Sequence, residues 1–328
     1  MSQEVKKGKK KQIKKEKTSQ KEEKTTENAK EALKENVNLK YGPSVTFPYQ
    51  RVWSRCALIL AVLFIVWYNS KQGKEVYFAK QKEVLLSRTQ YVECSNDYKA
   101  EVTEYPECTP EKCGRIVSDK LVSSTETDIL LRMAITGLNL GGSDGGASIL
   151  DLHSGALSKG KGFIDVYTLP EAKKIFNSAD LAIYKVVKTK IQHAVAHNFG
   201  VPANKIYLTS PTFFSRMTNA SAKTIHDEYW HPHVDKETYK SFHYTSLLYL
   251  NDFGRDFEGG RFIFMDKDHV NTTVEPRKGR VSMFTSGSEN LHAVEKVQSG
   301  IRYALTVSFT CDSNAAVSDP NYRTKQPT

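Results

Sequence analysis

Three side chains in the second half of the chain have the types and spacing of metal ligands. His233 and Asp235 are separated only by Val234, and His292 lies further along. On an extended strand, residues two positions apart face the same side, so we expect this imidazole and carboxylate to point together. Two histidines and one carboxylate leave three positions open on a metal, as in non-haem Fe(II) sites. The His-x-Asp pattern alone is a weak signal that a polar cluster or a zinc site would also show.

Two further residues bear on this interpretation. His231 stands beside the pair, but only His233 has the two-residue spacing to Asp235. Arg302 lies ten residues after His292, on the last expected strand. It shares a strand face with small or polar residues, namely Ala304, Thr306 and Ser308. A guanidinium on such an interior face leaves room for a ligand and offers two parallel donors to a carboxylate. Taken alone, the arginine would equally suit a surface ion pair.

The elements that must position these residues are short β-rich runs separated by turn residues. The runs cover residues 205–209, 212–218, 243–250, 261–265, 272–275, 280–285 and 302–310. Helices followed by seven or eight such strands predict an α+β fold with a C-terminal antiparallel sandwich or jelly roll.

Two helices are expected upstream of these strands. The first begins at Ser123, where Glu126 completes a capping box, and it ends at Gly137. The second runs from about Ala179 to Phe199, because apolar residues repeat there every four positions, and Gly200 ends it. We expect these helices to support the β region.

Other upstream patterns are predicted to have no catalytic role. His193 and His197 have the i, i+4 spacing of metal ligands, but without an acidic partner we expect them to face solvent. The glycine-rich segment 141–146 lacks the lysine of a P-loop and the spacing of a dinucleotide fingerprint, so it is predicted to be a flexible loop. Residues 71–93 are predicted to form a charged helical stalk, followed by a cysteine-bearing loop over residues 94–113.

The positive charge of the chain lies mainly in one segment. The net charge is +10, and residues 1–55 hold 15 Lys/Arg against 7 Glu. The remainder is close to neutral, so it offers no basic groove for nucleic acid. The Lys/Glu-rich tail up to about Lys40 has no aromatic residue, and we predict that it is disordered. Interrupting glutamates and the lack of stacking aromatics argue against nucleic acid as its partner.

The long apolar run of the chain, residues 56–68, predicts a membrane anchor. With Val52 and Trp53 it reaches 17 residues, or about 25 Å of helix, which a slightly thinned bilayer accommodates. Trp53, Trp67 and Tyr68 bracket it as interfacial aromatics do. A long segment precedes it and no small-x-small cleavage site follows, so we expect a signal-anchor. The basic tail favours a type II orientation, with the body in the lumen.

Cysteines and sequons beyond this run agree with a lumenal body. Four cysteines suit two disulfides in an oxidising compartment, with three pairings open and free thiols as the alternative. They are Cys94, Cys108, Cys113 and Cys311. Asn219 and Asn271 begin Asn-x-Ser/Thr sequons and are candidate glycosylation sites. The expected location is therefore the endoplasmic reticulum or Golgi.

Taken together, the motifs of the β region resemble the prolyl/lysyl hydroxylase branch of the 2-oxoglutarate- and Fe(II)-dependent dioxygenases. The resemblance covers roughly residues 207–311, a third of the chain, in the family's order and spacing. The motifs that carry it are His233-Val234-Asp235, Leu247-Leu248-Tyr249-Leu250-Asn251-Asp252, Glu258-Gly259-Gly260-Arg261-Phe262, Pro276-Arg277-Lys278-Gly279, His292-Ala293-Val294 and Gly300-Ile301-Arg302-Tyr303.

The resemblance implies a double-stranded β-helix in which His233, Asp235 and His292 hold Fe(II). It implies that Arg302 pairs with the distal carboxylate of 2-oxoglutarate, while the keto acid end of that molecule chelates the iron. Such enzymes consume O2, release succinate and CO2, and hydroxylate a C–H bond, here expected on a prolyl or lysyl side chain of a protein, with ascorbate as reductant. A tyrosine that often helps to hold 2-oxoglutarate is replaced in the stretch 212–215, so only Arg302 is assigned to the co-substrate.

These patterns divide the chain into six predicted segments. They are a disordered cytoplasmic tail (1–50), a transmembrane signal-anchor (52–70), a stalk with a cysteine-containing loop (71–122), a helical support region (123–206), the dioxygenase domain (207–311) and a C-terminal tail (312–328).

Two other functions fit part of the sequence. A catalytically inactive lumenal binding protein would use the same oxygenase scaffold. A type II glycosyltransferase would use Asp266-Lys267-Asp268 as a metal motif, although no nucleotide-binding α/β pattern precedes it. The acceptor itself is not identified by the sequence.

Overall fold

The computed structural model describes residues 25–26, 28–33, 48–71, 74–267 and 270–320. The chain divides into two compact units, Met1–Gln72 and Gly73–Thr328. The predicted disordered tail lies largely outside the described residues, and those described within it, 25–26 and 28–33, are helical.

The first unit contains one long helix, α1 (Gln50–Lys71). Its segment Gln50–Tyr68 is long and apolar enough to cross a membrane, judged by length and composition. A helix therefore lies where the sequence predicts the anchor over residues 52–70.

The described residues of the second unit form sixteen strands and five helices. In chain order they are β1 (Lys74–Ala79), β2 (Arg88–Val92), α2 (Asn96–Val102), β3 (Cys113–Ser118), α3 (Ser124–Leu138), β4 (Gly142–Ser143), β5 (Ala147–Leu150), β6 (Ala156–Gly160), β7 (Gly162–Asp165), α4 (Ala172–Ile175), α5 (Ser178–Phe199), β8 (Tyr207–Met217), α6 (Asp235–Thr238), β9 (Tyr244–Tyr249), β10 (Phe257–Gly259), β11 (Phe262–Met265), β12 (Val270–Val274), β13 (Val281–Thr285), β14 (His292–Val294), β15 (Val297–Gly300) and β16 (Arg302–Thr310).

Two sheets pack against each other to form the β core. The larger sheet has the order β2-β3-β13-β9-β16-β8-β5-β6-β4, with β7 paired to β6, and the smaller has the order β1-β12-β11-β14. One buried apolar cluster draws from both sheets, and its members include Leu247, Tyr249, Phe262, Phe264, Phe284 and Ala304. Mixed sheets with helices on one side agree with the predicted α+β jelly roll.

Helices α3, α4 and α5 cover the other face of the larger sheet. A second apolar cluster joins α3 and α5 to the outward side chains of β16, which are Tyr303, Leu305, Val307 and Phe309. The alternation predicted for this strand is confirmed, because Ala304 belongs instead to the cluster between the sheets. The capping box of α3 is present, since the Glu126 N–H donates to Ser123 Oγ and the Ser123 N–H donates to the Glu126 carboxylate. Gly200 ends α5 in the left-handed region, at φ 71°.

The predicted helical stalk is wrong. Residues 74–79 form β1, which pairs in parallel with β12, and residues 88–92 form β2, which pairs with β3. Strand β3 in turn pairs with β13, so the region 71–122 completes both sheets. The partners of β1 lie almost 200 residues away in the chain, and a local pattern does not reveal such pairing.

Three other boundaries differ from the sequence-based expectation. The glycine-rich loop contains β4, which pairs with β6, and a Cβ on Gly145 would lie 2.3 Å from the Asp227 carboxylate, so close packing requires glycine there. The helical support region also contains β5, β6 and β7. Residues 312–320 pack on the body, since Val317 bonds to the Leu208 carbonyl and Asp319 pairs with Lys185; residues 321–328 lie outside the described residues.

Two disulfides are present, as expected from the four cysteines. Cys94 pairs with Cys113, and Cys108 pairs with Cys311. The second disulfide joins the segment before β3 to the end of β16 across 203 residues.

Candidate metal centre

Two short segments bring the three predicted ligands together. His292 begins β14, which is paired to β11 in the smaller sheet. His233 lies opposite it in an isolated bridge, where the His233 N–H donates to the His292 carbonyl at 2.9 Å and the reverse bond measures 3.1 Å. The extended backbone continues through Val234, but Asp235 begins helix α6. The expectation that His233 and Asp235 share a side therefore holds, although the strand ends one residue early.

The three side chains converge on one point. Their candidate ligand atoms all lie within 4.8 Å of one another. Asp235 Oδ1 lies 3.5 Å from His292 Nε2 and 3.7 Å from His233 Nε2. Asp235 Oδ2 is buried and has no hydrogen-bond partner among the described residues. A buried carboxylate oxygen without a donor fits a metal ion, which would compensate its charge.

Both imidazoles have the orientation of metal ligands. Each Nδ1 lies beside the carbonyl oxygen two residues earlier, at 3.0 Å from His231 for His233 and at 2.8 Å from Asn290 for His292. An Nδ1–H that donates to a carbonyl leaves the Nε2 lone pair free for a metal. Burial lowers the pKa of His292, against the opposing effect of Asp235. The neutral form that binds metals is therefore favoured.

The backbone carbonyl that orients His292 is itself held in place. Arg115 Nε donates to Asn290 Oδ1 at 2.7 Å, and Asn290 Nδ2 donates to the Thr285 carbonyl at 2.8 Å. The Arg115 guanidinium also pairs with Asp266 at 2.5 Å. Sequence reasoning missed Arg115 and Asn290, because neither stands in a recognisable motif. This pairing also occupies the first carboxylate of the supposed glycosyltransferase motif.

Aromatic rings shield the same centre from water. The His292 ring stacks on Phe262, with 4.9 Å between centroids, and meets the edge of Phe284 at 5.1 Å. His292 is only 3% exposed, whereas His233 and Asp235 remain partly accessible. One side of the cluster is therefore dry and the other is open to ligands.

Arg302 lies on the interior face of β16 as predicted, and its charge is unpaired. It is 1% exposed, and its Nε donates to the Gly260 carbonyl at 2.8 Å. Its Nη2 has no hydrogen-bond partner among the described residues, which also offer this guanidinium no carboxylate. Burial lowers the pKa of Arg302. An unpaired buried guanidinium fits a ligand carboxylate, which would supply the missing acceptors.

Two residues that sequence reasoning left unassigned shape the surroundings of this arginine. The Arg302 guanidinium lies over the Tyr249 ring, 5.5 Å from its centroid. Gly260 adopts φ +63°, and a Cβ there would lie 2.9 Å from Arg302 Cδ. Tyr249 and Gly260 both belong to the motifs that carry the family resemblance, and that resemblance was the signal that could have identified them. The Tyr249 ring lies against one face of the guanidinium.

Other predicted site residues lie outside this cluster. His231 is exposed and pairs with Glu228 at 2.6 Å. His193 and His197 are exposed, as expected. Asn219 is exposed near β8, and Asn271 is half-buried within β12.

Comparison with known proteins identifies the family. The profile of the 2OG-Fe(II) oxygenase superfamily matches residues 216–310. A protein of Xenopus tropicalis called 2-oxoglutarate and iron-dependent oxygenase domain-containing protein 3 is 53% identical over 246 residues, covering 74% of this chain and 77% of the relative. This chain belongs to the 2OG-Fe(II) oxygenase superfamily. It is accordingly a dioxygenase, of a family that uses Fe(II), 2-oxoglutarate and O2.

Further relatives of this oxygenase agree with the assignment. The Homo sapiens protein that carries the same name is 48% identical over 282 residues, covering 84% of this chain and 88% of the relative. Prolyl 3-hydroxylase 2 of Homo sapiens is 48% identical over 71 residues, which are 21% of this chain and 10% of that protein. The family is therefore related to prolyl hydroxylases.

Proposed function

We propose that His233, Asp235 and His292 hold Fe(II), and that Arg302 binds the distal carboxylate of 2-oxoglutarate. One observation carries this proposal: two buried polar atoms of opposite charge have no hydrogen-bond partner among the described residues. They are a carboxylate oxygen of Asp235 and a guanidinium nitrogen of Arg302. Bound iron and 2-oxoglutarate supply the oxidising chemistry, with release of succinate and CO2. The acceptor is a prolyl or lysyl side chain of a protein, and ascorbate is the reductant.

The residues of this chain have separate tasks in that reaction. The two imidazoles and the Asp235 carboxylate fix three positions on one side of the ion and leave the opposite side for small molecules. Arg302 and Tyr249 orient the co-substrate from the interior face of the larger sheet. Phe262 and Phe284 keep water from the His292 side, which strengthens the electrostatic interactions there.

The proposed cellular setting follows from the first unit and the disulfides. We infer a single-pass type II membrane protein of the endoplasmic reticulum or Golgi, with α1 as anchor and the dioxygenase domain in the lumen. The two disulfides suit an oxidising compartment. Exposed Asn219 offers an accessible sequon. Deglycosylation of the membrane-bound protein should shift its mobility, and Asn219→Gln should reduce that shift. An unshifted wild-type protein would contradict the lumenal orientation.

Conversion of 2-oxoglutarate to succinate tests the activity. The purified full chain in detergent, with Fe(II) and prolyl- or lysyl-containing peptides, should release succinate. His233→Ala and Asp235→Ala should abolish that release, whereas His231→Ala is the matched control and should retain it. If wild-type protein with iron bound releases no more succinate than Asp235→Ala, that result would favour the inactive binding protein instead.

A further inference from the structure

The strand register extends the face that carries Arg302 well beyond the metal centre. On β8, Met217, Ser215 and Phe213 lie opposite Arg302, Ala304 and Thr306, and directly opposed residues project to the same side of a sheet. The next strand continues this row, because Ile149 pairs with Ser215. Beyond it, on β6 and β7, Ser158 pairs with Phe163. One continuous face thus runs from the co-substrate arginine to the edge of the larger sheet.

A cleft lies on this face, and we call it the side cleft. Its volume is about 180 Å3, and it is lined by residues that include Ile149, Ser158, Phe163, Phe213 and Tyr239. Three of its lining residues are aromatic, and two, Lys161 and Asp227, carry charge. Phe163 is 53% exposed and Tyr239 is 41% exposed, although both are large side chains in a concave site. Exposed aromatic rings in a cleft are typical of a surface that contacts a ligand.

The side cleft adjoins the metal cluster through Tyr239. This residue follows Asp235 by one helical turn, and its N–H donates to the Asp235 carbonyl at 2.8 Å. The lining residue Asp227 is held in place, because its carboxylate accepts from the N–H groups of Lys223 and Thr224 and from Thr224 Oγ1. Asp227 is therefore already satisfied, so the three aromatic rings and Lys161 remain for recognition.

We propose that the side cleft binds the peptide that flanks the hydroxylated residue, and that Phe163, Phe213 and Tyr239 select an apolar ring there, from a prolyl or aromatic residue. This inference rests on the proposed function, because the acceptor residue lies beside the metal cluster. Rings pack on aromatic faces with little loss of side-chain entropy. An extended segment is the occupant that fits, since the cleft crosses strands of a sheet.

The strand spacing sets the length of peptide that crosses the side cleft. Three strand intervals separate β8 from β7, or about 14 Å at roughly 4.8 Å each. An extended peptide advances about 3.3 Å per residue. A segment that crosses the cleft from Phe213 on β8 to Phe163 on β7 is therefore about four residues long. With the acceptor at the end of the cleft that adjoins the metal cluster, a ring about four residues away reaches Phe163, and a ring next to the acceptor does not.

Photo-crosslinking tests this position without turnover. The probes are glycine/serine peptides with one central proline or lysine and a benzoylphenylalanine either one or four residues from it. The full chain in detergent is loaded with Mn(II) and 2-oxoglutarate. The four-residue probe should label the segment that contains Phe163, and the one-residue probe should not. Phe163→Ala should reduce labelling about tenfold, while Phe163→Tyr should retain it.

A matched control comes from the other end of the same sheet. Tyr91 on β2 is 60% exposed, so Tyr91→Ala removes a comparable ring and should leave labelling unchanged. Equal labelling in Phe163→Ala and wild type would overturn the side-cleft proposal. Succinate release without peptide by Fe(II)-loaded Tyr91→Ala should match the wild type. Turnover without selective labelling would overturn the side cleft alone, and selective labelling without any turnover would overturn the proposed function alone.

Discussion

The same substitution at two buried arginines of this oxygenase should affect different properties, the stability of the fold at one and the affinity for 2-oxoglutarate at the other. Arg302 and Arg280 are each at most 1% exposed. Arg280 has a bidentate pair with Asp119, at 2.7 and 3.0 Å, and also donates to three carbonyls. Arg302 has one carbonyl partner, a thioether contact and an unpaired Nη2. Replacing either residue by methionine keeps an unbranched apolar stem and removes the charged guanidinium.

The magnitudes follow from what each guanidinium contacts. Arg280→Met leaves Asp119 buried without its partner, which should lower the free energy of unfolding by about 3–5 kcal/mol. Arg302→Met removes an unpaired buried charge and one hydrogen bond to Gly260, so stability should stay within about 1 kcal/mol of wild type. Binding of 2-oxoglutarate loses two charge-assisted hydrogen bonds, together worth at least about 3 kcal/mol, or roughly 100-fold in affinity.

Two measurements on the full chain in detergent separate these effects. Urea unfolding reports the stability of each variant, and calorimetric titration of the Mn(II)-loaded protein with 2-oxoglutarate reports its affinity. Arg280→Met should bind 2-oxoglutarate normally wherever it remains folded. Affinity of Arg302→Met within threefold of wild type would refute the assignment of Arg302 to the co-substrate.

Three further predictions concern the support of the site and the stability of the domain. Asn290→Ala should weaken metal binding about 10- to 100-fold with the fold retained, because the loop that orients the buried histidine loses its anchor; unchanged affinity in a metal titration would contradict this. Replacing Cys108 and Cys311 by serine should lower the free energy of unfolding by about 5 kcal/mol. Replacing Cys94 and Cys113 should lower it by about 3 kcal/mol, because their disulfide closes a shorter loop. Equal losses in urea unfolding would contradict the loop-length argument. Burial lowers the pKa of His243 to about 4, so below pH 6.5 the unfolded chain takes up a proton that the folded protein does not. Stability should therefore fall by about 2 kcal/mol from pH 7 to pH 5, and His243→Gln should lose less over the same range.

The ion pair beside His243 does not reverse the predicted fall in stability between pH 7 and pH 5. Glu101 Oε1 lies 3.6 Å from His243 Nε2, but the same oxygen lies 2.7 Å from Lys236 Nζ. The ammonium group neutralises the carboxylate and disfavours a second positive charge nearby. An unfolding free energy that rises between pH 7 and pH 5 would show that Glu101 holds the imidazole proton instead.

Residue type and local spacing determined much of the site and of its supporting elements. His233, Asp235 and His292 were selected by ligand chemistry, and Arg302 by the alternation of β16. The start of α3 and the end of α5 were predicted from capping residues. Each of these inferences depends on atoms within a few residues of one another, where backbone geometry leaves few choices.

The tertiary structure alone decided which distant segments meet. The predicted helical stalk became β1 and β2, because β1 pairs with β12 almost 200 residues away and β2 pairs with β3 across the cysteine-bearing loop. Pairing energy overrides a weak local preference. The cysteine pairing, the support of Asn290 by Arg115 and the side cleft also depend on contacts between distant segments, so the sequence did not predict them. Phe163 and Arg302 belong to one surface only because three strands, β8, β5 and β6, align between the strands that carry them. Long-range register is a property of the folded sheet, so the contacts that determine substrate recognition could not be inferred from local sequence.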